Sequence, residues 1–444
     1  MTADSAAIRA LPAPPPAYRW AVLVVLSLAM FGNYYVYDSI SPLADVLVKQ
    51  LNFTDDNIGL LNAIYSFPNI IMVLIGGIII DRIGVKKSTF LFSLLCALGA
   101  VLTALTPTLS VMAAGRLLFG LGAESLIVAI TTALAQWFRG KELSFAFGLN
   151  LTIARLGSFS ALNSPTWARD AYAGWQGPLL IATVFGFVSL IAGAIYWVME
   201  SGAVRRYAMA SAGSSDKIVF GDIRAFGRSY WFVVALCVTF YSGIFPFQTF
   251  AVKFFQDAHG VSREEAGFLS SMLTLFAMIC TPLFGLLVDR IGKRTQFMML
   301  GSLLLVPVYL IMAYSSISLY VPMAIMGIAF SMIPAVMWPS VAYIVGQNKL
   351  GTAYGLMTMI QNIGLFGFNL VIGWANTAFD ASAANPAGYR PGMWIFSITG
   401  ILGLFFAWML RQAESGPDAH GLETITVAGG TKPREVMAGI EGPG

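Results

Sequence analysis

Gly77-Ile-Ile-Ile-Asp81-Arg82-Ile-Gly84-Val-Lys86-Lys87 and Gly285-Leu-Leu-Val-Asp289-Arg290-Ile-Gly292-Lys293-Arg294 are two copies of one pattern. Each reads G-x-x-x-D-R-x-G followed by basic residues, and the aspartates stand 208 positions apart (289 minus 81). Each copy closes one long apolar run and opens the next. A sequence that repeats itself at this distance is built from two like halves, as membrane bundles with internal repeats are.

Composition says what surrounds those halves. The chain is 57% hydrophobic and 11% charged. A soluble protein carries about 25% charged residues because water must solvate its surface. This surface is expected to face lipid. A span needs about twenty apolar residues. The apolar runs and their breakers place spans near 19–48, 57–80, 88–107, 110–137, 142–168 and 177–199, then 229–257, 263–288, 295–314, 318–346, 351–379 and 391–411. The expected fold is an all-α membrane protein of twelve helices in two six-helix bundles. Its parts are a tail at 1–18, a bundle at 19–200, a linker at 201–228, a second bundle at 229–412 and a disordered tail at 413–444.

Positive charge orients the bundle. With the N-terminus in the cytoplasm, about nineteen lysines and arginines fall on that side, while Lys49, Arg169, Arg263 and Arg390 fall opposite. That bias satisfies the positive-inside rule and puts both tails in the cytoplasm. Cys96, Cys237 and Cys280 all lie in apolar runs, so no disulfide framework is expected. His259 and His420 are far apart in polar segments, which argues against a metal site. No cleavable signal peptide is expected at the N-terminus.

The duplicated loop resembles the signature loop of the major facilitator superfamily. That resemblance implies two pseudo-symmetric bundles working by alternating access around a central cavity. A narrower likeness lies in Gly115-Arg116-Leu-Leu-Phe-Gly120-Leu-Gly-Ala-Glu124-Ser125, Trp137-Phe138-Arg139-Gly140-Lys141-Glu142-Leu143 and Phe147-Gly148-Leu-Asn150-Leu-Thr-Ile-Ala-Arg155-Leu-Gly157-Ser158. With Tyr37-Asp38, Phe245-Pro246-Phe247 and Lys253-Phe254-Phe255, these are similar to the lysosomal dipeptide transporter branch. The branch implies passive dipeptide export, with Glu124 and Arg155 clasping the two ends of a zwitterion. The N-terminal tail carries no acidic dileucine sorting signal, so a bacterial relative in the cytoplasmic membrane is expected.

Charge inside hydrocarbon costs at least ~2.5–3.5 kcal/mol and marks function by default. Five such charges stand within or near the spans: Asp38, Arg116, Glu124, Arg155 and Lys253. Glu124 and Arg155 each fall about 20 Å from a helix end at 1.5 Å per residue, close to the membrane midplane. An arginine fork suits a carboxylate, and a glutamate accepts from an ammonium. The alternative is a structural ion pair. Asp38 is suited to binding an amine, carrying a proton or pairing with Lys253, and Lys253 either binds or snorkels to the interface. Arg116 is expected to pair with a neighbour. Tyr34, Tyr65, Asn69, Asn163, Tyr241, Gln248, Trp338, Gln361 and Asn362 are further candidates to line a cavity, each against a plain packing role. Asp81, Arg82, Asp289 and Arg290 sit at helix junctions and are expected to form a gate.

No phosphate loop G-x-x-x-x-G-K-[ST] is present, which speaks against an ATP-driven pump. No nucleophile–base or metal constellation suggests an enzyme, and no cofactor or nucleic-acid partner is expected. The leading expectation is a facilitative or secondary active carrier of dipeptides or similar zwitterions, monomeric with or without an accessory subunit. Proton-coupled symport of an organic anion is the alternative, and a non-transporting receptor is the alternative of another class.

Overall fold

The structure, a computed structural model, describes residues 12, 14–138, 142–207, 226–346, 349–417 and 419–426. No strand occurs among them. The helices are α1 (Pro16–Asp38), α2 (Ala44–Leu51), α3 (Asp55–Ile83), α4 (Val85–Leu105), α5 (Leu109–Trp137), α6 (Leu143–Leu162), α7 (Ser164–Trp167) and α8 (Gln176–Val204). In the second half follow α9 (Arg228–His259), α10 (Arg263–Ile291), α11 (Arg294–Tyr314), α12 (Tyr320–Ile344), α13 (Leu350–Ala378) and α14 (Arg390–Glu414). Eleven spans among the described residues are long and apolar enough to cross a membrane, or up to twelve with α3. That helix bends by 56° between Val73 and Ile75, just before the Gly76-Gly77 pair. Paired glycines are a common site of helix kinks.

Two expected helices are broken. The run 19–48 is α1, a 3-10 turn at Ser41–Leu43 and α2; the run 142–168 is α6 and the one-turn α7. Pro42 and Pro165 explain both breaks, because proline lacks an N–H and disfavours helical backbone in the residue before it.

The apolar surface is arranged for lipid. Val184, Ile191 and Val198 follow one another at intervals of seven on α8 and are 60%, 57% and 73% exposed. Ser189 and Tyr196, on the opposite face, are fully buried. Polar atoms therefore turn inward and aliphatic ones outward, the reverse of a soluble helix.

The chain forms two compact units. The first comprises residues 1–37, 72–158 and 179–215, and the second 38–71, 159–178 and 216–444. Within the first, α4 and α5 lie backbone to backbone: a Cβ on Gly99 would stand 2.5 Å from Phe119 N, and one on Gly115 2.5 Å from Thr103 N. Within the second, α9 packs against α10, α12, α13 and α14, and α11 against α12 and α14. Segments 38–71 and 159–178 belong by sequence to the first half but cluster with the second.

Both repeat loops obey the same backbone constraint. Gly84 has φ 85° and ψ 156°, and Gly292 has φ 73° and ψ −129°. Only glycine adopts such backbone cheaply, which is why the motif keeps a glycine there.

The tail differs from expectation after α14. His420 Nδ1 lies 2.8 Å from Glu414 Oε1, and Leu422 is fully buried. Glu423 accepts a hydrogen bond from Thr295 N at 3.1 Å, capping the free N–H groups of α11. Buried apolar area and these bonds offset the entropy of ordering 419–426. Residues 427–444 and the central linker 208–225 lie outside the described residues.

Candidate functional site

Two sets of polar side chains stand out, one in each unit. In the first unit α6 crosses α1 so closely that a Cβ on Gly157 would meet Phe31 O at 2.3 Å. That approach sets Arg155 against Tyr34, its guanidinium carbon 5.9 Å from the ring centroid. A guanidinium over a tyrosine face gains a cation–π attraction of about 0.5–2 kcal/mol. Glu124 is on α5, half-buried like Arg155 and Tyr34. Its neighbour Ala123 accepts a hydrogen bond from Asn33 Nδ2 at 3.4 Å, which ties α5 to α1 beside Tyr34. The acidic and basic candidates therefore stand on helices each anchored to the same stretch of α1.

Arg116 has partners, and backbone carbonyls are among them. It is 1% exposed and donates to Val36 O at 3.1 Å and Tyr37 O at 3.2 Å. These are carbonyls of the last turn of α1, which has no following turn to satisfy them. The buried cation thus fixes the place where α1 ends.

The second unit holds a set of charges at the corners joining α1 to α3 and α9 to α10. Asp45 on α2 is 2% exposed; Arg263 reaches it with Nε 3.2 Å from Oδ1 and Nη2 2.6 Å from Oδ2. Lys49 adds a contact at 3.2 Å, and Tyr172 lies under the guanidinium at 5.3 Å. Arg169 pairs with Glu264 at 3.1 Å. Ser262 caps α10 by accepting from Glu265 N at 3.1 Å, so Arg263 sits on a fixed first turn. The first turn of α3 is held likewise: Asp56 N donates to Thr377 Oγ1 at 3.1 Å.

Lys253 is drawn into a cluster of acidic and aromatic side chains. It is 4% exposed and pairs with Asp55 at 3.2 Å and Asp257 at 3.0 Å. It also donates to Tyr389 Oη at 2.6 Å. Its three protons are committed to this cluster, which explains why a lysine tolerates such burial. Asp38 is buried at the end of α1.

The other candidates are scattered. Trp338 Nε1 donates to Tyr241 Oη at 2.9 Å, and Tyr354 Oη donates to Trp338 O at 3.1 Å, so two expected residues meet and a third joins them. Gln361 Oε1 lies 3.6 Å from Cys237 Sγ. Asn163 and Asn362 each donate to the carbonyl four residues back, and so hold helix ends or turns rather than an open face. Gln248 is buried, its backbone carbonyl accepting from Ser41 Oγ. Tyr65 is buried on α3, and one turn later the fully buried Asn69 has no partner for its amide among the described residues.

Of the residues expected to gate, Asp81, Arg82 and Arg290 are exposed, and Asp289 pairs with Arg294 of the next helix at 3.2 Å. Asp45, Asp55, Asp257, Arg263 and Tyr389 were missed by sequence reasoning. One signal was available: Asp257 follows Lys253 by four residues, one helical turn. Arg263 lies 218 residues from Asp45 and Lys253 198 residues from Asp55, and no local spacing points to either of these pairings. No group of three or more His, Cys, Asp or Glu among the described residues is placed to hold a metal ion.

Comparison with known proteins fits this architecture. The profile of the Major Facilitator Superfamily matches residues 26–252 and 231–434. The chain is 31% identical over 369 residues to "Lysosomal dipeptide transporter MFSD1" of Danio rerio, covering 80% of each chain. It is 32% identical over 370 residues to the protein of that name in Homo sapiens, again covering 80% of each. Among solved structures, a bacterial homolog of the human lysosomal transporter Spinster superposes with a TM-score of 0.74 at 16% identity. That match covers 90% of this chain and 98% of the other.

Proposed function

The chain belongs to the Major Facilitator Superfamily, an integral multi-pass transporter and not an enzyme, and on that footing we propose that it carries small zwitterions, dipeptides first among them, by alternating access. The observation that carries the reading is Arg155 set over Tyr34 on the stretch of α1 that also anchors α5 and Glu124. Arg155 takes the carboxylate of the solute through its fork, and Glu124 takes the ammonium. Tyr34 helps to hold the guanidinium in place through its ring face. The likeness to dipeptide transporters at about 31% identity supports the same substrate class.

An organic anion is the second reading, because Arg155 suits any carboxylate while Glu124 has work only with an amine. Flux of labelled dipeptide into proteoliposomes separates them. Uptake of a free dipeptide, with its N-acetylated form excluded, supports the zwitterion. Equal uptake of both removes Glu124 from the site. Binding without flux for every solute favours a receptor.

We also propose that both tails are cytoplasmic, that the membrane is the bacterial inner membrane, and that Asp81, Arg82, Asp289 and Arg290 act in gating. The lysine and arginine bias supports the orientation. Scanning accessibility from each face of intact cells tests it.

A further inference from the structure

Lys253 and Asp257 stand four residues apart on α9 and pair at 3.0 Å, so their charges cancel within one helix. Tyr389 closes the pair, accepting from Lys253 Nζ at 2.6 Å and donating to Asp257 Oδ2 at 2.7 Å. Asp55, the first residue of α3, adds a second carboxylate 3.2 Å from Nζ. The side chains of Lys253 and Asp55 are 5% exposed and that of Asp257 13%. Two carboxylates thus share one ammonium out of water.

The remaining neighbours do not restore the balance. From α3 comes Asp56, a further negative charge, half-buried. From α9 comes His259, half-buried, with its ring against Phe254. The loop after α13 offers Ala381 O, 3.5 Å from Nζ, which is an acceptor. Asn376 on α13, 2% exposed, lies beside Asp55 as a neutral amide that can donate to its carboxylate but adds no positive charge. The N-terminal end of α3 contributes about 0.3–1 kcal/mol to an ionised Asp55. An uncompensated buried carboxylate costs several kcal/mol, and the cheapest remedy is to take up a proton.

Resting on the alternating-access reading, we infer that this cluster is a proton-binding site, in which the Asp55 carboxyl holds a proton only while Asp55 is docked on Lys253. When α3 leaves α9, Lys253 and Asp257 remain as a neutral pair on their own helix. Asp55 then returns to water as a carboxylate and the proton leaves with the solvent. The docked form binds one proton more than the undocked form, so docking strengthens as pH falls. Where the proton is being taken up, the ratio of docked to undocked changes by up to about tenfold per pH unit. The same device makes carrier turnover sensitive to the pH bathing this end of the molecule.

The test uses the full chain in lipid nanodiscs, with Cys96, Cys237 and Cys280 replaced by alanine and spin labels on cysteines introduced at the exposed positions Thr54 and Ala384. Label-to-label distances report docked and undocked populations directly. The expected result is a docked fraction that rises as the pH falls. Asp55→Asn keeps the side-chain shape and removes this slope, while Asp56→Asn retains it. A docked fraction independent of pH in the parent chain, including a chain docked at every pH, overturns the proton site. So does a slope that survives Asp55→Asn. Flux is measured separately in liposomes: pH-dependent docking without flux of any solute defeats the transport reading and leaves the proton site standing.

Discussion

Arg263 grips Asp45 with two parallel hydrogen bonds, Nε to Oδ1 at 3.2 Å and Nη2 to Oδ2 at 2.6 Å, across 218 residues of sequence. The carboxylate is buried, so removing the arginine leaves Lys49 as its remaining cation among the described residues. A buried, forked pair of this kind has a defined geometry that lysine cannot reproduce.

Arg263→Gln is expected to loosen this corner. A cysteine introduced at the buried position Ser41 then reacts with a water-soluble maleimide on the order of tenfold faster, the equivalent of about 1.4 kcal/mol. Asp45→Asn in the same background adds little further, because the two residues act as one unit. Additive effects of the two changes show that the pair is not what holds the corner.

Arg116→Met is expected to destabilise the chain by about 2–4 kcal/mol, since two carbonyls at the end of α1 lose charged hydrogen bonds. Arg116→Lys recovers part of the loss, as an ammonium reaches one carbonyl but does not fork over both. Thermal unfolding in detergent reads the effect. An unchanged midpoint in Arg116→Met means that water satisfies those carbonyls.

Arg155→Ala is expected to lower dipeptide affinity by about ten- to a hundredfold, the value of one charged hydrogen bond of about 1.5–3 kcal/mol. Glu124→Gln weakens free dipeptides by a similar factor and leaves simple carboxylates nearly unaffected. Competition binding on the purified chain measures both. Loss of carboxylates and zwitterions alike in Glu124→Gln points to a structural role for Glu124.

Gly84→Ala and Gly292→Ala separate two costs in the repeated loop. Each forces alanine into backbone that costs about 1–3 kcal/mol. At Gly292 the new methyl also meets Glu423 O at 2.8 Å, whereas nothing lies within 4 Å of it at Gly84. Gly292→Ala is therefore expected to lower the unfolding midpoint more, and to detach residues 419–426, measured as faster proteolysis of the tail. Equal effects in the two variants show that the tail is not held on that loop.

Membrane spans are legible in a sequence because hydrocarbon imposes a length and a composition on every helix. Span positions read from apolar runs agree with the helices to within a few residues over most of the chain, α8 and α11 among them. The breaks at Pro42 and Pro165 had a local cause but were hidden by continuous apolar composition. Arg116 was readable as a buried charge in need of a partner. That its partners are the carbonyls of Val36 and Tyr37 was not, because a carbonyl looks the same at every position.

The sequence by itself determined the class of molecule: a duplicated bundle of apolar helices, its turns fixed by Gly84 and Gly292, with a few costly charges placed at chosen depths. Those properties follow from local chemistry and a uniform solvent, which act on each segment alone. Only the tertiary structure decided which charges answer one another. Lys253 took Asp55 from 198 residues away, and Arg263 took Asp45, because electrostatic pairing depends on distance in space and is indifferent to separation along the chain.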